Sequence, residues 1–187
     1  MRDFDIRNIV RKTLLHHYYS DNDSKVVEEL DIPAAKARID MAVINGHMHG
    51  FEIKSAQDTL NRIPNQLQAY TKVFDYVSVV TEDKYTLKLE KILPFWVGIF
   101  TCTNDGLVIE FRKALLNENV EGFYLAKMLW REELLQILKE HQIKHRKADR
   151  NWLLCESLSN NLTVGLLSGI VRQKLKQRLN WKLKNTF

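Results

Sequence analysis

Residues 38–70, RIDMAVINGHMHGFEIKSAQDTLNRIPNQLQAY, decide the fold. They read as a β-hairpin followed by a helix. Over 37–44 the chain alternates, with Ile39, Met41 and Val43 on one side and Asp40, Ala42 and Ile44 on the other. Over 51–55 it alternates again, Phe51 and Ile53 against Glu52 and Lys54. A period of two is the signature of a strand. Asn45 and Gly46 between the two arms are a strong turn signal. A two-residue loop would set Phe51 opposite Asp40 and bury the wrong set. A three-residue loop, 45–47, pairs Ile44 with Met48, Ala42 with Gly50, Asp40 with Glu52 and Arg38 with Lys54. That register is preferred, because a slip of one residue sends every side chain to the other face.

In this register Asp40 and Glu52 carry their carboxylates on Cβ atoms about 5 Å apart. Like charges so placed destabilise a sheet, and a bound cation reverses the sign of the interaction. Magnesium takes oxygen ligands and often only one or two carboxylates, leaving positions for water and phosphate. Lys54 would lie beside such an ion, within reach of a phosphate. The same three residues also read as an exposed, charge-laced hairpin face, and spacing alone leaves both readings open. A second Glu-x-Lys, Glu82 to Lys84, has no acidic strand before it at hairpin distance.

After the hairpin, Pro64 fits a first helical turn and not an interior. A helix is therefore expected from about residue 62 to 74, with 57–61 as a capped lead-in. Gln66 and Tyr70 stand four apart and share one face of it, toward the strand end that carries Lys54. Arg62 is a candidate phosphate contact, or else it pairs with Asp58 and braces the helix.

Asp40, then Glu52-Ile53-Lys54, then Gln66-x-x-x-Tyr70, resembles the PD-(D/E)XK nuclease superfamily. The Gln-x-x-x-Tyr element is similar to the branch with RecB-type exonuclease domains. RIDMAVING, HGFEIKS, DTLNRIPNQ and VFDYVSVV, with Leu129 to Leu134, resemble a group of small, functionally uncharacterised bacterial proteins. The resemblance implies a restriction-endonuclease-like core. It implies Asp40 and Glu52 as metal ligands, with the Ile53 carbonyl as a further one, and Lys54 as the catalytic lysine. It also implies that an acid ahead of the hairpin reaches the metal, for which Glu29 is the candidate; a solvated glutamate is the competing reading. Ile39 stands where the superfamily's named proline would be.

The rest of the chain frames this centre. With 187 residues and 45% hydrophobic content, it can bury one core with a small appendage. Cys102 and Cys155 are too few for a disulfide framework and fit a reducing cytoplasm. No apolar run reaches the roughly 18 residues of a membrane helix, and the first residues lack a signal-peptide pattern.

Residues 2–19 read as one helix with Ile6, Ile9, Val10, Leu14 and Tyr18 along a face, and 25–30 as a short second helix carrying Glu28 and Glu29. A strand over 76–81 is expected to be central. A short helix follows within 82–93, and Pro94 ends it. Two strands, 95–103 and 107–113, surround Asn104, Asp105 and Gly106. Residues 123–142 read as one long amphipathic helix. Residues 149–157 and 163–179 read as two more, joined by 158–162. The expected fold is α/β (α+β), a mixed sheet flanked by helices, with a core over 1–122 and a helical extension over 123–187.

Charge is unevenly spread. Residues 141–187 hold ten Lys and Arg against Asp149 and Glu156, a net of +8, whereas the chain totals +5; residues 1–140 are thus at −3. Arg172, Lys174, Lys176 and Arg178 lie on the last helix, with Trp181, Lys182 and Lys184 beyond it. Such a surface holds a polyanion by counterion release without reading sequence. Together these readings predict a magnesium- or manganese-dependent nuclease acting on DNA, with a homodimer as one arrangement for cutting both strands. The competing expectation is a non-catalytic nucleic-acid- or partner-binding module that retains the nuclease-like fold.

Overall fold

The computed structural model of the protein describes residues 1–55, 58, 60–103 and 105–178. Gln57 in the expected lead-in, and Trp181, Lys182 and Lys184, lie outside the described residues. Two compact units follow one another, Met1–Val120 and Glu121–Phe187.

The first unit is a six-stranded mixed sheet in the order β1-β2-β3-β4-β5-β6. The strands are β1 (Lys25–Ile32), β2 (Ala37–Ile44), β3 (Met48–Lys54), β4 (Tyr76–Glu82), β5 (Gly98–Cys102) and β6 (Val108–Arg112). Strands β1, β2 and β3 are joined antiparallel, β3, β4 and β5 parallel, and β6 returns antiparallel to β5. The hairpin register is the one the alternation predicts, with Ile44 opposite Met48 and Ala42 opposite Gly50. Asn45 closes the three-residue loop: its N–H donates to the His47 carbonyl at 3.0 Å, and its side chain accepts from the His47 N–H. The ladder stops at Met41 and Phe51, one pair short of Asp40 and Glu52.

Helices cover both faces of β3. Helix α1 (Asp3–Lys12) lays Ile6 and Val10 against Met41, Val43, Phe51, Ile53 and Val80. Each such large apolar side chain contributes about 1.5–3 kcal/mol on burial. On the other face Gly50 leaves room for Phe74; a Cβ there would meet the ring at 3.3 Å and Ile39 Cδ1 at 2.3 Å. Helix α3 (Ile63–Tyr70), preceded by a 3-10 turn at Leu60–Arg62, makes the crossover from β3 to β4, and α4 (Asp83–Ile92) the next one. Strand β4 is buried at nearly every position, as a central parallel strand must be.

Several elements differ from expectation. The first helix breaks into α1 and α2 (His16–Ser20), because the turn between them sends Leu15 into the core. A straight helix would point Leu15 well away from Val10. The expected helix over 25–30 is instead strand β1, where Val26 and Val27 pair with β2. Pairing runs from Lys25 opposite Ile44 to Glu28 opposite Met41, skips Glu29 and Asp40, and resumes at Leu30 opposite Ile39. Glu29 has a φ of +53° at this gap. That distortion is what hides the strand's alternation.

The second unit is helical: α5 (Gly122–Lys127), α6 (Arg131–Glu140), α7 (Asn151–Asn161) and α8 (Val164–Gln177). The expected long helix over 123–142 is two, α5 and α6. Trp130 has extended backbone before α6, and its N–H donates to the Glu133 carboxylate at 2.7 Å. Leu125, Leu134, Ile137, Leu154, Leu158, Leu167, Val171 and Leu175 are buried in this unit. Helix α7 runs through the expected joint at 158–162, as far as Asn161. Among the described residues, no helix is long and apolar enough to cross a membrane.

Candidate functional site

Three of the residues singled out in the sequence, Lys54, Gln66 and Tyr70, converge on the carboxylate of a fourth, Glu52. Glu52 is 4% exposed and Lys54 6%. Both project from β3 on the face opposite Phe51 and Ile53, toward α3. Lys54 Nζ donates to Glu52 Oε1 at 2.6 Å, and Gln66 Nε2 donates to the same oxygen at 2.6 Å. The Tyr70 hydroxyl donates to Glu52 Oε2 at 2.6 Å, and lies 2.9 Å from the Arg38 carbonyl. The four-residue spacing of Gln66 and Tyr70 lets one helix face grip both oxygens.

Asp40 joins from the neighbouring strand. Its Oδ2 accepts the Ile53 N–H at 2.8 Å. The carboxylate thereby takes the ladder position that a backbone carbonyl of β2 would fill, which is why the strands part there. Asp40 and Glu52 thus flank a single peptide. Burial raises the pKa of both carboxyls; for Glu52 the charge of Asp40 adds to the rise, while Lys54 and the Tyr70 bond oppose it. For Asp40 the Ile53 N–H and the Arg7 guanidinium oppose the rise. Burial and the Glu52 charge push the Tyr70 phenol up as well, so it stays a donor.

Arg7 is a member of the cluster that sequence reasoning missed. From α1 its Nη2 donates to Asp40 Oδ1 at 2.9 Å and its Nη1 to the Asp40 carbonyl at 3.2 Å. The gap in the ladder at Glu29 and Asp40 leaves that carbonyl for it. Asp3, four residues back on α1, holds Nε and Nη2 at 3.4 and 3.3 Å. The Asp3–Arg7 spacing was the one available signal, and it points along the helix, not to residue 40.

The other candidates separate. Glu29 is exposed, its carboxylate 3.7 Å from Arg38, and the helix expected to carry it does not exist. Arg62 is exposed at the start of α3. Asp58, its expected partner, instead accepts from the Ser55 N–H and hydroxyl at 2.8 and 2.7 Å. In the second unit, Arg172 donates to Ser168 Oγ at 2.6 Å, Lys174 to Gln136 at 3.1 Å, and both are half-buried, as is Lys176. Arg178 is a correction. It is buried, ion-paired with Glu133, donates to the Met128 carbonyl at 2.9 Å and stacks 4.1 Å over the Trp130 ring. It closes the packing of that unit and is not offered to a phosphate. His49 sits half-buried beside Ser78 Oγ at 2.9 Å, stacked on Phe51, and burial lowers its pKa to about 4. It is a neutral packing residue.

Two carboxylates and the Ile53 carbonyl make a hard-oxygen donor set of the kind magnesium takes, with water and phosphate completing the shell. Among the described residues there is no group of three or more His, Cys, Asp and Glu suited to a metal. One acceptor of the cluster is left over: Gln66 Oε1 is buried with no hydrogen-bond partner among the described residues. Turning the amide would only set its oxygen against Glu52, so the bond from Nε2 to Glu52 fixes the orientation.

Over residues 3–186 the chain matches the family model described as bacteriophage P4 protein cII. It is 26% identical over 161 residues to protein cII of Enterobacteria phage P4, covering 84% of this chain and 60% of that protein. The chain thus spans 60% of that relative's length. A protein of unknown function from Silicibacter pomeroyi matches with a TM-score of 0.49 and 18% identity, over 76% of this chain and 86% of that one.

Proposed function

The chain belongs to the bacteriophage P4 protein cII family, and for this member of it we propose a metal-dependent nuclease that hydrolyses phosphodiester bonds in DNA, built on a restriction-endonuclease-like core. The observation that carries the reading is the convergence of Lys54, Gln66 and Tyr70 on Glu52, with Asp40 bonded across the adjoining peptide. For stability alone this is an expensive cluster, since two buried carboxylates are costly to desolvate.

Asp40, Glu52 and the Ile53 carbonyl are the residues that would hold magnesium or manganese. A bound ion of this kind supplies positive charge at a phosphoryl oxygen and lowers the pKa of its water. Gln66 and Tyr70 fix Glu52 in place. Lys54, anchored by Glu52, orients the attacking water and offsets charge that builds on phosphorus. The half-buried cations Arg172, Lys174 and Lys176 supply phosphate contacts, with Arg62 as a further one. Two buried, unbridged cysteines are in keeping with action in the cytoplasm.

The test is cleavage of plasmid and linear DNA with magnesium, manganese or EDTA. Cleavage with either metal, lost in EDTA and in Glu52→Gln, is the expected result. A folded protein that cuts no single-stranded, double-stranded or branched DNA overturns it. One observation favours the second reading, a nucleic-acid-binding module without catalysis. Arg7 and Lys54 already balance Asp40 and Glu52 in charge. On that reading DNA binding is steeply salt-dependent and indifferent to metal.

A further inference from the structure

We propose that Arg7 is a gate on Asp40: a built-in cation that keeps a divalent ion off the carboxylate until a polynucleotide phosphate draws the guanidinium away. This rests on the nuclease reading above and adds regulation to the same site. Oδ1 of Asp40 is taken by Arg7 at 2.9 Å and Oδ2 by the Ile53 N–H at 2.8 Å. An ion arriving at Oδ1 meets a fixed positive charge on the same oxygen, and the two repel. The guanidinium is locked there by three acceptors, Asp40 Oδ1, the Asp40 carbonyl and Asp3 Oδ1, and its side chain is only 13% exposed.

The same geometry provides a way out. Asp3 is 45% exposed and lies on the solvent side of Arg7. A guanidinium leaving Asp40 therefore keeps one partner as it swings outward. Its planar fork matches two phosphate oxygens better than it matches the one carboxylate oxygen and one carbonyl of Asp40 it now holds. Substrate phosphate thus takes up Arg7, bares Oδ1 and leaves Asp40 without the Arg7 charge, while Glu52 keeps Lys54. Metal and nucleic acid then each bind more tightly when the other is present, by the same factor.

The experiment is Mn2+ binding, followed by electron paramagnetic resonance of the free ion. Wild type, Arg7→Ala and Arg7→Lys are titrated with and without a cleavage-resistant phosphorothioate duplex. Duplex is expected to tighten Mn2+ binding to wild type about tenfold. Arg7→Ala is expected to bind Mn2+ about tenfold tighter than wild type without duplex, and to gain little from adding it; Arg7→Lys keeps part of the coupling. Ions gathered merely by the duplex would appear equally with Arg7→Ala, so coupling that survives that substitution overturns the gate. Equal or weaker Mn2+ binding by Arg7→Ala overturns the gate and leaves the nuclease reading standing. Binding by no form overturns both. Should Arg7→Ala not fold, Arg7→Gln carries the test: it removes the charge but keeps an amide at the same place and is expected to bind Mn2+ several-fold tighter than wild type without duplex, and unchanged binding overturns the gate.

Discussion

Lys54 and Glu52 hold one another at 2.6 Å in a setting with little water, so each substitution at this pair has a separable effect. On the proposed reading, Lys54→Ala removes the charge that faces phosphorus but leaves Asp40, Glu52 and the Ile53 carbonyl. Cleavage is expected to fall by about a thousandfold, while Mn2+ still raises the melting temperature. Unchanged cleavage would take Lys54 out of the mechanism. His49 gives a second, independent handle. Folded, it stays neutral down to about pH 4, whereas a free imidazole takes its proton near 6.5. Between those values the unfolded chain binds more protons, so His49 makes stability fall as pH falls through that window. The loss is up to about 3 kcal/mol. Asp40 and Glu52 act in the opposite sense, because carboxyls raised in the fold favour it as pH drops. The difference between wild type and His49→Gln isolates the histidine: denaturant melts at pH 7 and pH 4.5 should show a shallower pH dependence in the variant. Equal dependence in both would mean that His49 is not held neutral.

At the scale of elements, β4 and β5 run so close side by side that Gly98 has no room for a side chain. A Cβ on Gly98 would stand 2.4 Å from Ser78 Oγ and 2.9 Å from the Ala114 backbone nitrogen. Main chain cannot swing aside as a side chain can, so Gly98→Ala is expected to cost about 1–3 kcal/mol. Chemical denaturation reads this directly, and an unchanged midpoint would refute it. Elements with an undisturbed period were legible before any coordinates. The β2–β3 hairpin and its three-residue loop follow from alternation and from Asn45 and Gly46, and β4 from its nearly continuous apolar run. The site's inner group was legible for the same reason, since Glu52, Lys54, Gln66 and Tyr70 sit within two regular elements. What escaped was set by irregularity or by tertiary contact. Glu29 at φ +53° broke the alternation of β1 and made it look helical. Leu15 and Trp130 interrupt helices whose apolar stripes continue past the break. Arg7 meets Asp40 across 33 positions of chain, and no local pattern encodes that meeting.

For the molecule as a whole, the charge is divided between its ends: +8 over residues 141–187 and −3 over the rest. On the proposed reading, a polynucleotide is bound by Lys and Arg of the second unit and cut by residues of the first. Phosphate contacts made by Lys and Arg release counterions, and each one steepens the fall of affinity with salt by about 0.9 in a log–log plot for duplex DNA. Arg178 is withdrawn from this count by its burial against Glu133 and Trp130. Replacing Arg172, Lys174 and Lys176 together by alanine should lower the slope by about 2 to 3. The site chemistry measured at saturating DNA should stay as in wild type. Arg178→Ala should behave differently, destabilising the second unit by about 3 kcal/mol or more, because it leaves Glu133 buried without its partner. Fluorescence anisotropy over 50–300 mM salt, read beside thermal melts of both variants, separates the two roles. A slope unchanged by the triple substitution would move the DNA-binding surface elsewhere on the chain.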